Sequence, residues 1–350
     1  MNKILILTQK NDLHAACVAA ALQQTGHNFS LFRGAEVPSL CTATVRIDSV
    51  RGSRTSFTYQ EGGSIEDSFD VVWNRRRRNP MLAEGILHPS DESFARAEWA
   101  SFGNALWPFW AQSGLWINSI KAQEAASSKL LQLSVAVGLG CKVPTTLVTN
   151  DPQELRDFLH RHPRAIYKPF RGIGEWIDGR SVAYETAKID ISDLPSDTVQ
   201  KNTIGIFQEY IEKIFEVRVL IFGPYCFSLR INSSATKDPL VDWRNYRLGI
   251  VHMEATEIPD SVYAFCKNFM GKLDLKFGAF DFVVNRDHEW VFLEVNESGQ
   301  FLFMEMADRS LNILSAFCHF LSNPYVTEKE IEHYAPYTEI LENERYKQFM

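Results

Sequence analysis

Three side chains near the C-terminal end have the chemistry to hold a hard cation. Asp281 lies in the apolar run FGAFDFVVN, and Glu294 and Asn296 sit two apart in EWVFLEVN. Both runs read as strands, over 277–285 and 289–296, joined by a turn at Arg286-Asp287-His288. Side chains alternate along a strand, so Glu294 and Asn296 share a face, and pairing of the two strands brings Asp281 toward it. Two carboxylates and an amide oxygen suit Mg²⁺, and two carboxylates are costly to bury without a cation. The opposing reading leaves Glu294 in solvent and pairs Asp281 with an arginine.

Two lysines interrupt apolar contexts. Lys129 sits in the helical SSKLLQLSVAVG, and Lys168 ends the strand-like IYKP, just before Arg171-Gly172-Ile173-Gly174. An ammonium beside backbone N–H groups can cradle a phosphate; a lysine that snorkels to the surface is the plainer alternative. The glycine pair is neither GxGxxG nor a P-loop. A third feature is FQEYIEKIFEVRV, with Glu209 and Glu216 either side of a break. Such an extended stretch can offer alternating N–H and C=O groups to a purine edge, or it is a solvated loop. Arg75 to Arg78 are either a solvated turn or a basic surface for acidic peptide side chains.

The elements that must position these residues fall into three groups. The first opens as an α/β unit: strand 3–8, Ala-rich helix 12–24, strand 28–32, a hairpin over 43–50 and 54–60, and strand 69–74 running into the arginines. A helix over 90–112 follows, with Ser90 or Asp91 as its cap. The second has one long helix from Asn118 or Ser119 to about Val137, strand 144–149, a helix from Asn150-Asp151-Pro152 to Pro163, and strands at 164–169, 181–184 and 204–210. The third is strand-rich: 216–222, 225–231, helix 259–272, the strand pair already described, and a helix over 307–321. The acid-rich segment 327–350 reads as a solvated helix or appendage.

Composition narrows the class. Thirty-six Lys and Arg against 43 Asp and Glu leave −7, which weighs against a generic nucleic-acid binder. No apolar run approaches the roughly 18 residues of a membrane span, and the N-terminal ILIL is too short for a signal-peptide core. The six cysteines (17, 41, 141, 226, 266, 318) are scattered, as expected of reduced thiols in a cytoplasmic protein. Cys141 and Cys226 lack a partner motif for a catalytic thiol. His160 and His162 end a helix without metal-ligand spacing.

The order of these pieces resembles a family. Lys129, then GLGCKVPTTLVTND, IYKP, QEYI with EVRV, FGAFDFVV and FLEVNESGQ look like an ATP-grasp fold of the RimK-like carboxylate–amine ligase branch, over about 115–320. DVVWNRRRRNP and the DWR at 242–244 are similar to the peptide-modifying subgroup, the microviridin ligases or graspetide synthetases. The resemblance implies an α/β (α+β) ATP-grasp architecture: an N-terminal pre-ATP-grasp domain over 1–115, a central lobe over 116–213, a C-terminal lobe over 214–325, and a tail over 326–350. It implies ATP and Mg²⁺ as cofactors. Lys129 and Lys168 would meet the phosphates, Glu209 the adenine amino group, the backbone of Tyr210 and Ile211 the ring edge, and Glu216 the ribose. Asp281, Glu294 and Asn296 would carry one or two Mg²⁺, and Arg218, Arg230 and Arg244 would face the γ-phosphate and the acyl phosphate.

The implied activity is ATP-dependent activation of Asp or Glu side chains on a ribosomally made precursor peptide, closing ester or amide cross-links. The partner is then a peptide with a leader and an acidic core, with no nucleic acid or membrane; pairing with a second copy of the chain is left open. The loop after Lys168 is shorter than in many such relatives. Two alternatives stand beside this reading: a ligase that adds a free amino acid to a carboxylate, and a non-catalytic peptide-binding scaffold.

Overall fold

A computed structural model describes the chain except residues 67, 83–84, 86–87, 171–174, 178–179, 183–185, 233–250 and 328–333, and describes 175–177 and 180–182 by backbone alone. The N-terminal unit is built on a parallel sheet in the order Phe29–Phe32, Ile4–Leu7, Val71–Asn74, Leu115–Ile117. Ile4 to Leu7 are buried throughout, as a strand covered on both faces must be. Helix Leu13–Gln24, capped by Asp12, has His14 to Leu22 buried without interruption. A helix enclosed on all sides tolerates the small alanines this one is made of. The expected hairpin is present and gains a third strand, in the order Cys41–Asp48, Gly52–Tyr59, Ser64–Glu66. Helix Pro89–Trp110 is capped by His88, ahead of the expected Ser90 or Asp91.

The long helix expected from 118 to 137 is two helices, Ile120–Ser127 and Lys129–Gly138. Ser128 leaves helical geometry (φ −79, ψ 102), and its side chain accepts from the Leu131 N–H. The second helix therefore begins at Lys129. Next comes an antiparallel sheet in the order Ala187–Ile189, Ala165–Lys168, Gly205–Glu209, Thr146–Thr149. Leu155, Phe158 and Leu159 of helix Pro152–Arg161 pack against its Ala165 and Phe207.

The third unit is a five-stranded antiparallel sheet in the order Met253–Ala255, Tyr225–Ile231, Lys213–Phe222, Phe277–Asn285, Trp290–Asn296. Both of its faces are covered. Val217, Val219, Phe280 and Phe282 pack with helix Asp260–Lys272. Leu220, Phe222, Leu229 and Ile231 join a core shared with Ile4, Trp73 and Phe317 of the surrounding elements. The helix expected over 307–321 is split into Leu302–Ala307 and Ile313–Ser322, with Asn312 in the left-handed region between them (φ 47).

The C-terminal segment is no solvated appendage. Tyr334, Tyr337 and Ile340 are buried in that same shared core, and the Tyr337 N–H donates to the buried Glu305 carboxylate at 2.8 Å. A few apolar anchors among many acidic residues are enough to seat it on helix Leu13–Gln24.

Candidate active site

Cross-strand register assembles the acidic cluster. Arg218 lies opposite Asp281, Asp281 opposite Glu294, and Ala279 opposite Asn296. The register shifts just after Asp281, so that Leu293 is an extra residue on the last strand; such bulges re-aim side chains beside functional sites. The Arg218 Nη1 donates to Asp281 Oδ2 at 2.6 Å, and the Asn296 amide donates to Asp281 Oδ2 at 3.3 Å and Glu294 Oε1 at 3.4 Å. The three expected cation ligands thus share one face, and the arginine pairing that stood as their alternative is there as well.

The donor chemistry fits a magnesium ion. Two carboxylates facing one another across neighbouring strands repel, and an ion that accepts oxygen ligands relieves them. Among the described residues no three His, Cys, Asp or Glu side chains converge. Two carboxylates and one amide match a cation that keeps waters and takes phosphate oxygens for its other positions.

The last strand is also pinned from outside. Gln132 is 4% exposed; its amide nitrogen donates to the Val295 carbonyl at 2.9 Å, and its oxygen accepts from the Val295 N–H at 2.8 Å. It therefore fixes the backbone at the one residue between Glu294 and Asn296. Lys129, one turn earlier on the same helix, reaches the neighbouring cavity and donates to the Pro169 carbonyl at 3.0 Å.

That cavity lies between the two antiparallel sheets. The four-stranded sheet contributes Ile166, Lys168 and Gln208, and the five-stranded sheet contributes Glu216, Asp281 and Glu294. Glu209, the last residue of its strand, and the connection between the sheets, with Tyr210 and Ile211, also line it. Pro144, Val283 and Leu293 give it apolar walls. Glu216 is 6% exposed and takes a hydrogen bond from Lys213 Nζ at 2.7 Å.

The structure divides the neighbouring pair Gln208 and Glu209 in a way that differs from expectation. Glu209 borders the cavity, but its carboxylate accepts from the Thr145 hydroxyl at 2.7 Å and lies 3.5 Å from the His162 ring. Gln208, its strand neighbour, points the other way and is 2% exposed. Its amide nitrogen donates to Thr146 Oγ1 at 2.9 Å, while that hydroxyl donates to the Pro144 carbonyl at 2.7 Å. The single hydroxyl proton is thereby used, so the amide is held with its nitrogen toward Thr146. Its oxygen is buried without a hydrogen-bond partner among the described residues. The signal was in the sequence: period two along GIFQE sets Ile206 and Gln208 on one face and Glu209 on the other.

One expected residue is not brought to the site. Arg230 pairs in register with Val217, on the sheet face away from Arg218 and Asp281. Its guanidinium lies 4.1 Å from the Phe215 ring centre, and its Nε donates to Asn232 at 2.8 Å. Arg244 falls outside the described residues, as does the 171–174 loop.

The four consecutive arginines have four different fates. Arg75 is 3% exposed, with its Nε 3.3 Å from Asp12 and its Nη1 donating to the Ser298 and Gly299 carbonyls. Burial lowers its pKa to about 10 against the pull of Asp12, so it stays charged at neutral pH. Arg76 lines a second cavity with Arg218, Asn296 and Glu297. Arg77 lies over the Trp107 ring, and the exposed Arg78 donates to Gln9 at 2.9 Å.

Comparison with known proteins accords with this architecture. Residues 129–276 match the family model described as prokaryotic glutathione synthetase, ATP-grasp domain. No curated protein matches the sequence. Among solved structures, a RiPP-associated ATP-grasp ligase of Chryseobacterium gregarium, in complex with ADP and a leader and core peptide, superposes with a TM-score of 0.83. It is 23% identical, over 94% of this chain and 99% of that one. The macrocyclase MdnC of Microcystis aeruginosa MRC, bound with precursor peptide MdnA, follows at 0.80, 24% identical over 92% and 99%. Macrocyclase MdnB of the same organism is 27% identical over 92% of this chain and all of that one (100%), with a TM-score of 0.75. The chain has the ATP-grasp fold, and the structural likeness extends across nearly its whole length.

Proposed function

We propose that this ATP-grasp ligase phosphorylates Asp or Glu side chains of a ribosomal precursor peptide with ATP and closes them into esters or amides. The observation that carries this reading is the row Arg218, Asp281, Glu294 and Asn296 set between two cavities. One cavity has lysines and an apolar slot, and the other has arginines. The solved relatives held with ADP and with leader, core or precursor peptide support it.

In this reading ATP lies in the first cavity. Pro144, Ile166, Val283 and Leu293 sandwich the adenine, whose edge meets the backbone of Tyr210 and Ile211. The Gln208 oxygen accepts from the adenine amino group, the part first expected of the Glu209 side chain. Glu216 takes the ribose hydroxyls, held in place by Lys213. Lys129 and Lys168 place their ammonium groups on the phosphates. Asp281, Glu294 and Asn296 would hold Mg²⁺, which when bound neutralises phosphate charge. Arg218, fixed by Asp281 and the Gln300 carbonyl at 3.2 Å, faces the γ-phosphate end.

A carboxylate is a poor electrophile because oxide is a poor leaving group; once phosphorylated, its carbonyl yields to a hydroxyl or amine. The chain's part is positioning and charge compensation, which accords with many cations and oxygen ligands and with no nucleophile–base pair among the expected site residues. The deciding experiment incubates the protein with ATP, Mg²⁺ and a leader-bearing acidic precursor peptide, read by mass spectrometry. Each ring closed loses one water. A gain of one residue's mass would instead indicate addition of a free amino acid, and ADP release independent of peptide would sink the proposal.

A further inference from the structure

The second cavity has no assigned occupant. It measures about 350 Å³, enough for a carboxyl side chain, and lies beyond the Arg218 and Asn296 row from the nucleotide cavity. Resting on the function proposed above, we infer that this cavity receives the carboxylate that is phosphorylated, and that Arg76 is the residue that recognises it.

Three observations lead there. First, among the described residues Arg76 forms no ion pair, whereas its chain neighbour Arg75 is matched by Asp12 and Arg218, across the cavity, by Asp281. A half-buried guanidinium beside a second, buried one is a costly arrangement unless an anion arrives to share them. Second, its backbone is fixed. The N–H groups of Arg75 and Arg76 both donate to the Leu7 carbonyl, at 3.1 and 2.8 Å, and the Arg75 side chain is bolted to the Ser298–Gly299 backbone. Third, Arg76 follows the carboxyl end of strand Val71–Asn74, beside the carboxyl end of Ile4–Leu7, from which the sheet order runs both ways. Ligands of open parallel sheets gather at this switch point.

Arg76 and Arg218 thus approach the cavity from different sheets, and a guanidinium fork matches a carboxylate with two parallel hydrogen bonds. Glu297 also lines the space, its Oε1 accepting from the Ser298 hydroxyl at 3.2 Å. Its like charge turns an incoming carboxyl toward the arginines. In the step served, a carboxylate oxygen bonds to the γ-phosphorus and the bond from that phosphorus to the bridging oxygen breaks. ADP leaves with the electron pair, and no proton moves.

The test uses the full chain loaded with ADP and Mg²⁺ and a fluorescein-labelled synthetic peptide of alternating Thr and Glu, followed by anisotropy. Arg76→Gln is expected to weaken peptide binding about tenfold or more, the scale of a lost charge-assisted hydrogen bond. ADP affinity should be unchanged, Arg76→Lys should recover part of the loss, and a Thr–Gln peptide should bind both proteins equally weakly. Arg78→Gln, which removes an exposed charge from the same run, should have no effect. Equal losses in Arg76→Gln and Arg78→Gln, or none in the former, overturn the assignment of Arg76. Because the readout is equilibrium binding, it decides this point whether or not the wild type later turns over a precursor peptide.

Discussion

The buried amide of Gln208 gives the sharpest prediction. Its oxygen has no hydrogen-bond partner among the described residues, and its nitrogen is committed to Thr146, so it cannot rotate to hide the defect. A buried acceptor left unsatisfied costs about 1–3 kcal/mol. The ligand-free protein carries that cost, and an adenine amino group entering the cavity relieves it. At 1.4 kcal/mol per decade, relief is worth about 5- to 150-fold in affinity. Guanine presents a carbonyl at the same position, acceptor against acceptor, and gains nothing. Gln208→Leu, of similar volume, should therefore raise the Kd for Mg·ADP about tenfold or more, leave that for Mg·GDP nearly unchanged, and so collapse the preference between them. The ligand-free variant should be at least as stable as wild type, since the orphan oxygen is gone. Titration calorimetry with both nucleotides and urea unfolding without ligand measure all three quantities. An ADP affinity that survives the substitution, or a large loss of ligand-free stability, would refute the reasoning.

Other outcomes follow from the same geometry. Glu294→Gln should lower peptide-dependent turnover by orders of magnitude at unchanged thermal stability, because a cation ligand is lost while the fold keeps its contacts. Asp281→Ala should lose turnover and also about 3–5 kcal/mol of stability in urea titrations, since it strands the buried Arg218 charge. His14 accepts the Phe301 and Leu302 N–H groups on Nε2 at 3.0 and 3.2 Å; burial, then Arg75 and Arg76, hold its pKa well below 6.5. Its unfolded form binds a proton first, so this contribution is complete above about pH 6.5 and is lost as pH falls toward the folded value. His14→Gln should flatten that acid limb in unfolding titrations. Ile340→Ala should cost about 2–5 kcal/mol in urea unfolding, which a solvated tail would not.

Strand identities were legible because their apolar runs are long and their turns are marked by Gly, Pro, Asn and Asp. That Glu294 and Asn296 share a face was legible for the same reason: parity along one strand needs only counting. What counting could not supply was parity between strands. Arg230 sits in a correctly read strand, yet its face depends on which residue of Lys213–Phe222 it opposes, and that is Val217. Ser128 split a helix because its side chain caps the following turn better than it continues the preceding one, a local competition that composition does not show. The tail was misread because its six acidic and three basic residues mask Tyr334, Tyr337 and Ile340 in any average, while burial is decided by those three. Arg75 to Arg78 read as one feature, yet each points into a different environment.

The site is assembled by amides that cross between units, and this explains why so little of it is local in sequence. Asn118, 1% exposed, donates to the Phe277 and Glu297 carbonyls at 2.8 and 2.7 Å and accepts from the Lys276 and Phe277 N–H groups at 2.6 and 3.0 Å. It thus fastens the start of strand Phe277–Asn285 and the end of strand Trp290–Asn296 to the segment leaving the parallel sheet. Asn74 donates to the Asn118 carbonyl at 3.1 Å and to Gln123 at 2.7 Å, one residue before Arg75. Gln132 holds Val295 between Glu294 and Asn296, and Arg75 holds the loop after them. Four side chains from three elements thereby fix the backbone on which Glu294, Asn296 and Arg218 converge. Asn118 and Gln132 bond through both their oxygen and their nitrogen and tolerate little displacement, so on the function proposed above the backbone that carries Glu294 and Asn296 is set before any ligand arrives, which is the condition for catalysis by positioning.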